Sequence, residues 1–516
     1  MKIKFISVEE GITALGFRKV VSVARELNLD TEIYFITTGN LYSLKTHLFP
    51  STRETFTYKD YKKIAKKLSD SDLICFSSMT PSAFCVERIV KYIRKYNPKA
   101  FILWGGTHTI INPEDAIKHV DAICTGEGEA VFANFYRAFL NKKNYLKTKS
   151  MWFKKGRKLY KNSNLPLNEP EKLASFPHLY YGLDCEIYDL KKGIFREFTK
   201  RDFLNFNGLS YRTVWTIGCP FSCIYCANDA FIRYDCKYRI IRFSPVDHML
   251  DEIVNAINIY PFISTVVFYD DNFIAIPVST LKEFVKKYKK RVGLPFAVSG
   301  LHPNFITKEK MDILGKAGMN RGRMGIQSAS ERILAFYQRP TPLPVVRRSA
   351  NILADMARKY RMIPPSYDII IDNPIEEKKD LVDSLRFLYK LKRPYTLTIF
   401  SLRVFPKTRL WDYFQSHPST DIRQLTSSYL DTRKTVASVL FYMVSVARPP
   451  KFIFEQLLKK VNGHNENKRF YPTLYWLAKM TYLVSRGLSH LKRLDFTTIV
   501  GPYGYYLWKV GLVRKN

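Results

Sequence analysis

The sequence predicts an α/β protein made of two successive sheets followed by a helical, basic tail. Two observations carry that prediction. Short apolar runs alternate with amphipathic helical patterns from Met1 to about Leu140, and the same alternation resumes at Thr213 and continues to about Phe414. After about Gln415 it stops. With 516 residues, 46% of them hydrophobic and 25% charged, the chain can fill at least two cores. The expected boundaries are a first domain over 1–140, a linker over 141–205, a second domain over 206–415 and a helical, aromatic, basic region over 416–516.

In the first domain the strand candidates are Ile3–Val8, Glu32–Ile36, Leu73–Ser77, Phe101–Trp104 and Ala122–Cys124, with amphipathic segments such as Phe17–Leu27 between them. Such alternation builds a parallel sheet covered by helices on both faces, a Rossmann-like domain. Three loops, Ser77-Ser-Met-Thr80, Trp104-Gly-Gly-Thr-His108 and Gly126-Glu-Gly-Glu129, each follow a strand, at the carboxyl edge where such sheets take ligands. Residues 141–205 show few clear periods; a basic turn at Lys154–Lys158 and prolines at Pro166 and Pro170 read as linker.

Six strand candidates follow: Thr213–Gly218, Thr265–Tyr269, Pro295–Ser299, Arg323–Gln327, Tyr367–Asp372 and Thr396–Phe405. With intervening helices they make a partial (β/α)6 barrel, whose reactive groups belong on the loops at the carboxyl ends of the strands. The loop after the first strand reads Ile217-Gly-Cys-Pro-Phe-Ser-Cys-Ile-Tyr-Cys-Ala-Asn228, placing Cys219, Cys223 and Cys226 as C-x3-C-x2-C. Three thiolates so close can ligate three irons of a cubane cluster and leave the fourth iron open. Structural zinc wants four N or S ligands, and no second Cys-x2-Cys or His-x3-His lies near.

The cysteine loop resembles that of the radical S-adenosylmethionine (radical SAM) superfamily. In that family the open iron binds SAM, and reductive cleavage gives a 5'-deoxyadenosyl radical. The resemblance implies a 4Fe-4S cluster on the three cysteines and SAM contacts at Tyr225, at Asp270, Asp271 and Asn272 after the second strand, and at Gln327 and Ser328 after the fourth, where Gln327 stands in place of a common glutamate. Asp368–Glu377 resembles the fifth-strand motif near adenine. Phe405-Pro-Lys-Thr-Arg-Leu410 resembles the Pro-Gly-Thr-x-Leu closing segment, with Lys407 replacing glycine. Together with the three loops of the first domain, the motifs resemble the cobalamin-binding subgroup. Ser77, Ser78, Thr80, Gly105, Gly106, His108, Gly126 and Glu127 are then the implied cobalamin contacts, with the two glycines letting the backbone approach the nucleotide tail. The Asp-x-His-x-x-Gly signature that supplies a lower cobalt ligand is absent; Glu9–Gly16 stands there instead, and the lower ligand is unassigned.

The expected activity is that of a cobalamin-dependent radical SAM enzyme, with methyl transfer to an unactivated carbon of a lipid-like or anionic substrate as the first reading. A radical cyclisation or oxidation of the anaerobic tetrapyrrole-cyclase kind is the second. The net charge of +36 implies an acidic partner: a membrane surface, an anionic substrate or a nucleic acid. An RNA-modifying or RNA-binding protein is a third reading, disfavoured because no appended RNA-binding module is recognisable. Met1-Lys-Ile-Lys-Phe-Ile reads as a strand rather than a signal peptide, and with eight cysteines the expected compartment is the reducing cytoplasm. A reductant such as flavodoxin or ferredoxin is implied. The longest apolar stretch, near Val436–Ala447, is too short to span a bilayer. Residues 451–516 carry twelve Lys plus Arg against three Asp plus Glu, for a charge of +9. Arg469–Leu483 and Gly504–Lys515 suit either an interfacial helix at the cytoplasmic face of a membrane or a cap over the barrel with the aromatics as its core.

Overall fold

The computed structural model describes residues 1–38, 55–141, 143–417, 422–426, 432–462, 471–495 and 501–512. The chain forms two compact units. The first comprises Met1–Tyr211 with Phe243–Ile263 and Val500–Lys515, the second Arg212–Arg242 with Ser264–Ile499.

The first unit is built on parallel strands β1 (Ile3–Glu9), β2 (Thr31–Thr37), β3 (Leu73–Ser78), β4 (Phe101–Gly105) and β5 (Ala122–Cys124). All five predicted strands are present within one or two residues. Ile3 to Val8 of β1 are all buried, polar Lys4 and Ser7 included, because both faces are covered. Ile6 and Val8 pack with helices Tyr58–Leu68 and Ala83–Tyr96 on one side, while Phe5 meets Phe132 of helix Gly128–Leu140 on the other at 5.2 Å. The sheet order places β1 between β3 and β2, so the winding reverses beside β1, the position where a doubly wound sheet opens a ligand crevice.

Residues 141–205 are not a plain linker. They supply β6 (Met151–Lys155), β7 (Lys158–Lys161), β8 (Glu186–Asp189) and β9 (Ile194–Glu197), which widen the sheet to nine strands in the order β7-β6-β5-β4-β3-β1-β2-β8-β9. Five residues or fewer per strand, with charged edges such as Lys-Leu-Tyr-Lys, give no readable period, and charges on an edge strand keep it from pairing further.

The second sheet begins with β10 (Ser210–Thr213), which is followed by a two-stranded ribbon, β11 (Thr216–Ile217) with β12 (Arg242–Phe243). The first barrel strand therefore ends at Thr213, where the predicted strand Thr213–Gly218 begins, and Thr216–Ile217 of that prediction lie in the ribbon. There Asp270 Oδ1 takes the amides of Trp215 (3.2 Å) and Thr216 (2.5 Å), occupying the donors that a continued ladder would need. Then come β13 (Thr265–Phe268), β14 (Phe296–Leu301), β15 (Met319–Gln327), β16 (Ser366–Ile371) and β17 (Thr396–Ser401). The order β10-β13-β14-β15-β16-β17 is sequential, and the successive pairs from β13 to β17 are parallel, as a partial (β/α)6 barrel requires. β17 ends at Ser401 rather than Phe405, since beyond Leu402 the chain turns to Leu425, whose carbonyl accepts from Val404 N at 3.0 Å.

The tail region does not stay together. Helices Val436–Val446 and Tyr471–Leu491 pack in the second unit through Val439, Tyr442, Tyr475 and Tyr482, whereas helix Gly501–Lys509 belongs to the first, its Tyr505 edge-on to Phe262. Among the described residues no helix is long and apolar enough to cross a membrane.

Candidate functional site

The cysteine loop is held at both ends by backbone. Gly218 has φ 104°, and a Cβ there would lie 2.5 Å from the Ile240 carbonyl, so glycine is demanded one residue before the first thiol. Cys219 N then bonds Tyr238 O at 3.0 Å. Cys226 is the N-cap of helix Ala227–Tyr234, whose partly positive end faces that sulfur. The amides of Phe221 and Asn228 donate to the sulfurs of Cys219 and Cys226. Cys223 is buried, and the other two are half-buried. Burial pushes the Cys219 thiol up to about 11 and Cys226 higher still, so iron, on binding, must displace protons.

The closing segment is bound directly to this loop. Leu410 N donates to Ile224 O at 3.3 Å, and the buried carboxylate of Asp229 takes Arg409 N at 2.7 Å and Arg409 Nε at 2.9 Å. Lys407, the residue in place of glycine, has φ 62°, the left-handed conformation a glycine would favour, so the turn survives the substitution.

Arg339 is the member of the site that sequence reading missed. It is buried, and its Nη1 lies 3.9 Å from Cys223 Sγ and 3.1 Å from the Tyr225 hydroxyl, while Nη2 donates to the Gly325 carbonyl. A guanidinium there balances negative charge on the thiolates. Nothing in Tyr337-Gln-Arg339 signals the role; only the fold brings it to the cysteines. His302 was missed as well; it stacks on Phe221 at 4.0 Å, with its pKa driven down to about 2 by burial and then by Arg339.

The other predicted contacts divide. Tyr225 meets Tyr337 edge-on at 4.8 Å beside the cysteines. Asp270 is buried, and its Oδ1 also takes Thr216 Oγ1 at 2.7 Å; burial lifts its pKa to about 7 against those three donors, and its role is to shape the β10–β11 turn. Asp271 is exposed, and the protein packed around it raises its carboxyl above the ordinary range against a hydrogen bond from Asn228. Asn272 is fully buried with neither end of its amide bonded, an unspent donor and acceptor. Gln327 closes β15 at φ 74°, at a bulge against β16. Ser328 departs from expectation: it is buried, turned to Ser384 Oγ at 3.3 Å and to Ser330 N at 3.2 Å, and caps a turn.

In the first unit the three loops do sit at the carboxyl ends of β3, β4 and β5. His108 is 3% exposed, neither ring nitrogen has a hydrogen-bond partner among the described residues, and burial lowers its pKa to about 4. Its ring lies over Trp104 at 5.1 Å. Thr80 Oγ1 is likewise buried and unbonded, and Ser77 is half-buried. Ser78 is spent on Trp104 Nε1 at 3.0 Å, and Glu127 Oε2 holds Asn168 N at 2.6 Å. Gly106 has a different reason from the one expected: at φ 95° its Cβ would lie 2.6 Å from Ser78 O, so it is glycine to seat the turn against β3. A Cβ on Gly105 would make only ordinary contacts, and one on Gly126 would press on Ser150 at 2.9 Å.

The B12-binding domain family matches residues 8–135, and the radical SAM superfamily matches residues 213–388, over the two units' sheets. The chain is a radical SAM protein with a B12-binding domain. An anaerobic magnesium-protoporphyrin IX monomethyl ester cyclase of Cereibacter sphaeroides is 23% identical over 354 residues, 64% of this chain and 52% of the relative. The chain spans about half the length of the curated relatives it matches. The fold matches the radical SAM methyltransferase TsrM of Kitasatospora setae with a TM-score of 0.65 at 12% identity, over 95% of this chain and 100% of that one. It also matches the cobalamin-dependent radical SAM enzyme OxsB with a TM-score of 0.63 at 14% identity, over 100% and 84%.

The cofactors of this radical SAM protein are a 4Fe-4S cluster, SAM and cobalamin, and its residues fit them. Three thiols on one loop, with amide donors to two sulfurs and Arg339 beside the third, suit a cluster of net negative charge. The unspent amide of Asn272 and the exposed carboxylate of Asp271 offer acceptors and a donor to the polar parts of SAM. The orphaned nitrogens of His108 and the hydroxyl of Thr80, at the loops of a sheet whose winding reverses at β1, offer the polar lining a cobalamin tail needs.

Proposed function

We propose that the chain is an enzyme that removes hydrogen from an unactivated carbon and places a methyl group there. The observation that supports it most is the pairing, on one chain, of a cysteine loop locked to its closing segment with a B12-type sheet that keeps buried polar atoms unspent. When bound, cluster and SAM supply a carbon radical and cobalamin supplies the methyl group. Cys219, Cys223 and Cys226 hold the iron; Arg339 fixes Tyr225 and offsets thiolate charge; Asp271 and Asn272 orient SAM; His108 and Thr80 hold the cobalamin tail. On β15 the two guanidiniums of Arg321 and Arg323 are each paired with a carboxylate, Asp495 3.4 Å from Arg321 and Asp368 2.6 Å from Arg323. The lipid-like or anionic substrate of this proposal is supported by the net charge of +36. The electron comes from outside the chain, from flavodoxin or ferredoxin in this proposal.

The named activity of the curated relatives favours a second reading, ring closure or oxidation without methyl transfer. Incubation of anaerobically reconstituted protein with SAM bearing a deuterated methyl group separates them. Label in the product supports methyl transfer; 5'-deoxyadenosine with an unlabelled, oxidised product supports the cyclase-like reading and sinks the first.

A further inference from the structure

Helix Tyr471–Leu491 is amphipathic in reverse. Its inner face carries Tyr475, Lys479, Tyr482 and His490, all buried, and the Tyr482 hydroxyl bonds Leu397 O on β17 at 2.6 Å. Its outer face carries Leu474 (42% exposed), Leu477 (65%), Met480 (41%), Val484 (55%), Leu488 (51%) and Leu491 (43%). Steps of three and four residues put these six on one stripe, roughly 120° wide at 100° per residue. A soluble helix ordinarily turns such a stripe inward, and a contiguous exposed one marks an interaction surface. The aromatics form the core side, as in the second of the two readings of this region from sequence, and the aliphatics face out.

The chemistry around the stripe says what covers it. The helix contains no Asp or Glu, and the exposed Lys492 follows it. A shallow groove of about 290 Å³ runs along the stripe, lined by Thr481, Val484, Ser485, Leu488, Ser489 and Lys492, apolar residues bordered by hydroxyls and ended by a cation. The inner face is anchored, so the helix cannot leave to span a bilayer. A second copy would bring two chains of +36 together, whereas an anionic bilayer offers apolar depth and opposite charge at once. We propose that this face seats the protein on an anionic membrane surface, with the helix in the interfacial plane and Leu477, Val484 and Leu488 dipped among the acyl chains. The proposal does not depend on which reaction the barrel performs.

The test is sedimentation of the full chain with vesicles of phosphatidylcholine alone or with phosphatidylglycerol. Binding is expected only with phosphatidylglycerol and is expected to fall with salt. Leu477→Glu with Leu488→Glu lowers it at least about tenfold, and Lys492→Ala about fivefold. These variants keep the wild-type iron and cobalamin content, which shows that they fold. A fluorophore on Val484→Cys shifts to the blue on the anionic vesicles. Equal binding to both vesicles, no shift at position 484, or a dimer in light scattering that the double variant converts to monomer without any vesicle binding overturns the proposal.

Discussion

The cysteine loop of the second unit follows β11 of the short β11–β12 ribbon and the histidine turn of the first follows parallel strand β4, and the two are held in different ways. The loop is tied by charge and backbone: Asp229 to Arg409, Leu410 to Ile224, Arg339 beside Cys223. The turn is left with polar atoms that have no partner among the described residues, at His108 and Thr80. Buried unbonded polar atoms occur in both units, at Asn272 as at His108 and Thr80, but only the loop is also tied by ion pairs and backbone to its closing segment. A buried unbonded polar group costs about 1–3 kcal/mol, which binding returns as affinity.

The largest effect expected from that contrast is at Cys223. Cys223→Ala leaves two thiols and drops iron from about four per chain toward none, with SAM cleavage lost and cobalamin uptake retained; iron, sulfide and cobalt analysis reads all three. Asp229→Asn comes next. It strips the charge from a buried partner of the partly exposed Arg409, costs about 1–3 kcal/mol, and lowers the midpoint of guanidinium unfolding. An unchanged midpoint would mean that the closing segment does not depend on this pair.

His108→Leu should do the reverse to the free protein, stabilising it by about 1–3 kcal/mol while weakening cobalamin binding roughly tenfold. A destabilised variant would make His108 a structural residue and break the contrast. Its pH signature is independent of the cofactor. In the unfolded chain His108 takes a proton near 6.5, in the folded one only near 4. Its contribution is therefore intact above pH 6.5 and lost as pH falls toward 4, by up to about 3 kcal/mol, and His108→Leu flattens that part of the stability profile. The smallest effect is at Lys407. Lys407→Gly relieves a left-handed lysine and should stabilise by roughly 0.5–1 kcal/mol, seen as a small rise in the denaturation midpoint.

The same contrast explains what the sequence could disclose. Iron ligation needs sulfur at fixed spacing, so Cys219, Cys223 and Cys226 are legible, as are the long strands of both sheets. Arg339 is not, because a counter-charge can come from any segment that the fold brings near. Ser328 and Gly106 stand where motifs place ligand contacts, but one caps a turn and the other makes room for the Ser78 carbonyl, needs of the fold that share the same residue types. The strands within 151–197 escaped because four or five residues with charged edges carry no period.

The bond from Arg409 to Asp229 spans 180 residues of sequence. During synthesis the three cysteines emerge long before the segment that clamps them. At roughly 5–20 residues per second, the loop stays open on the ribosome for on the order of 10–40 s. Iron delivered in that interval meets mobile thiols; iron delivered afterwards must enter a loop already shut by its own closing segment. The order of translation thus sets a natural time for cluster insertion.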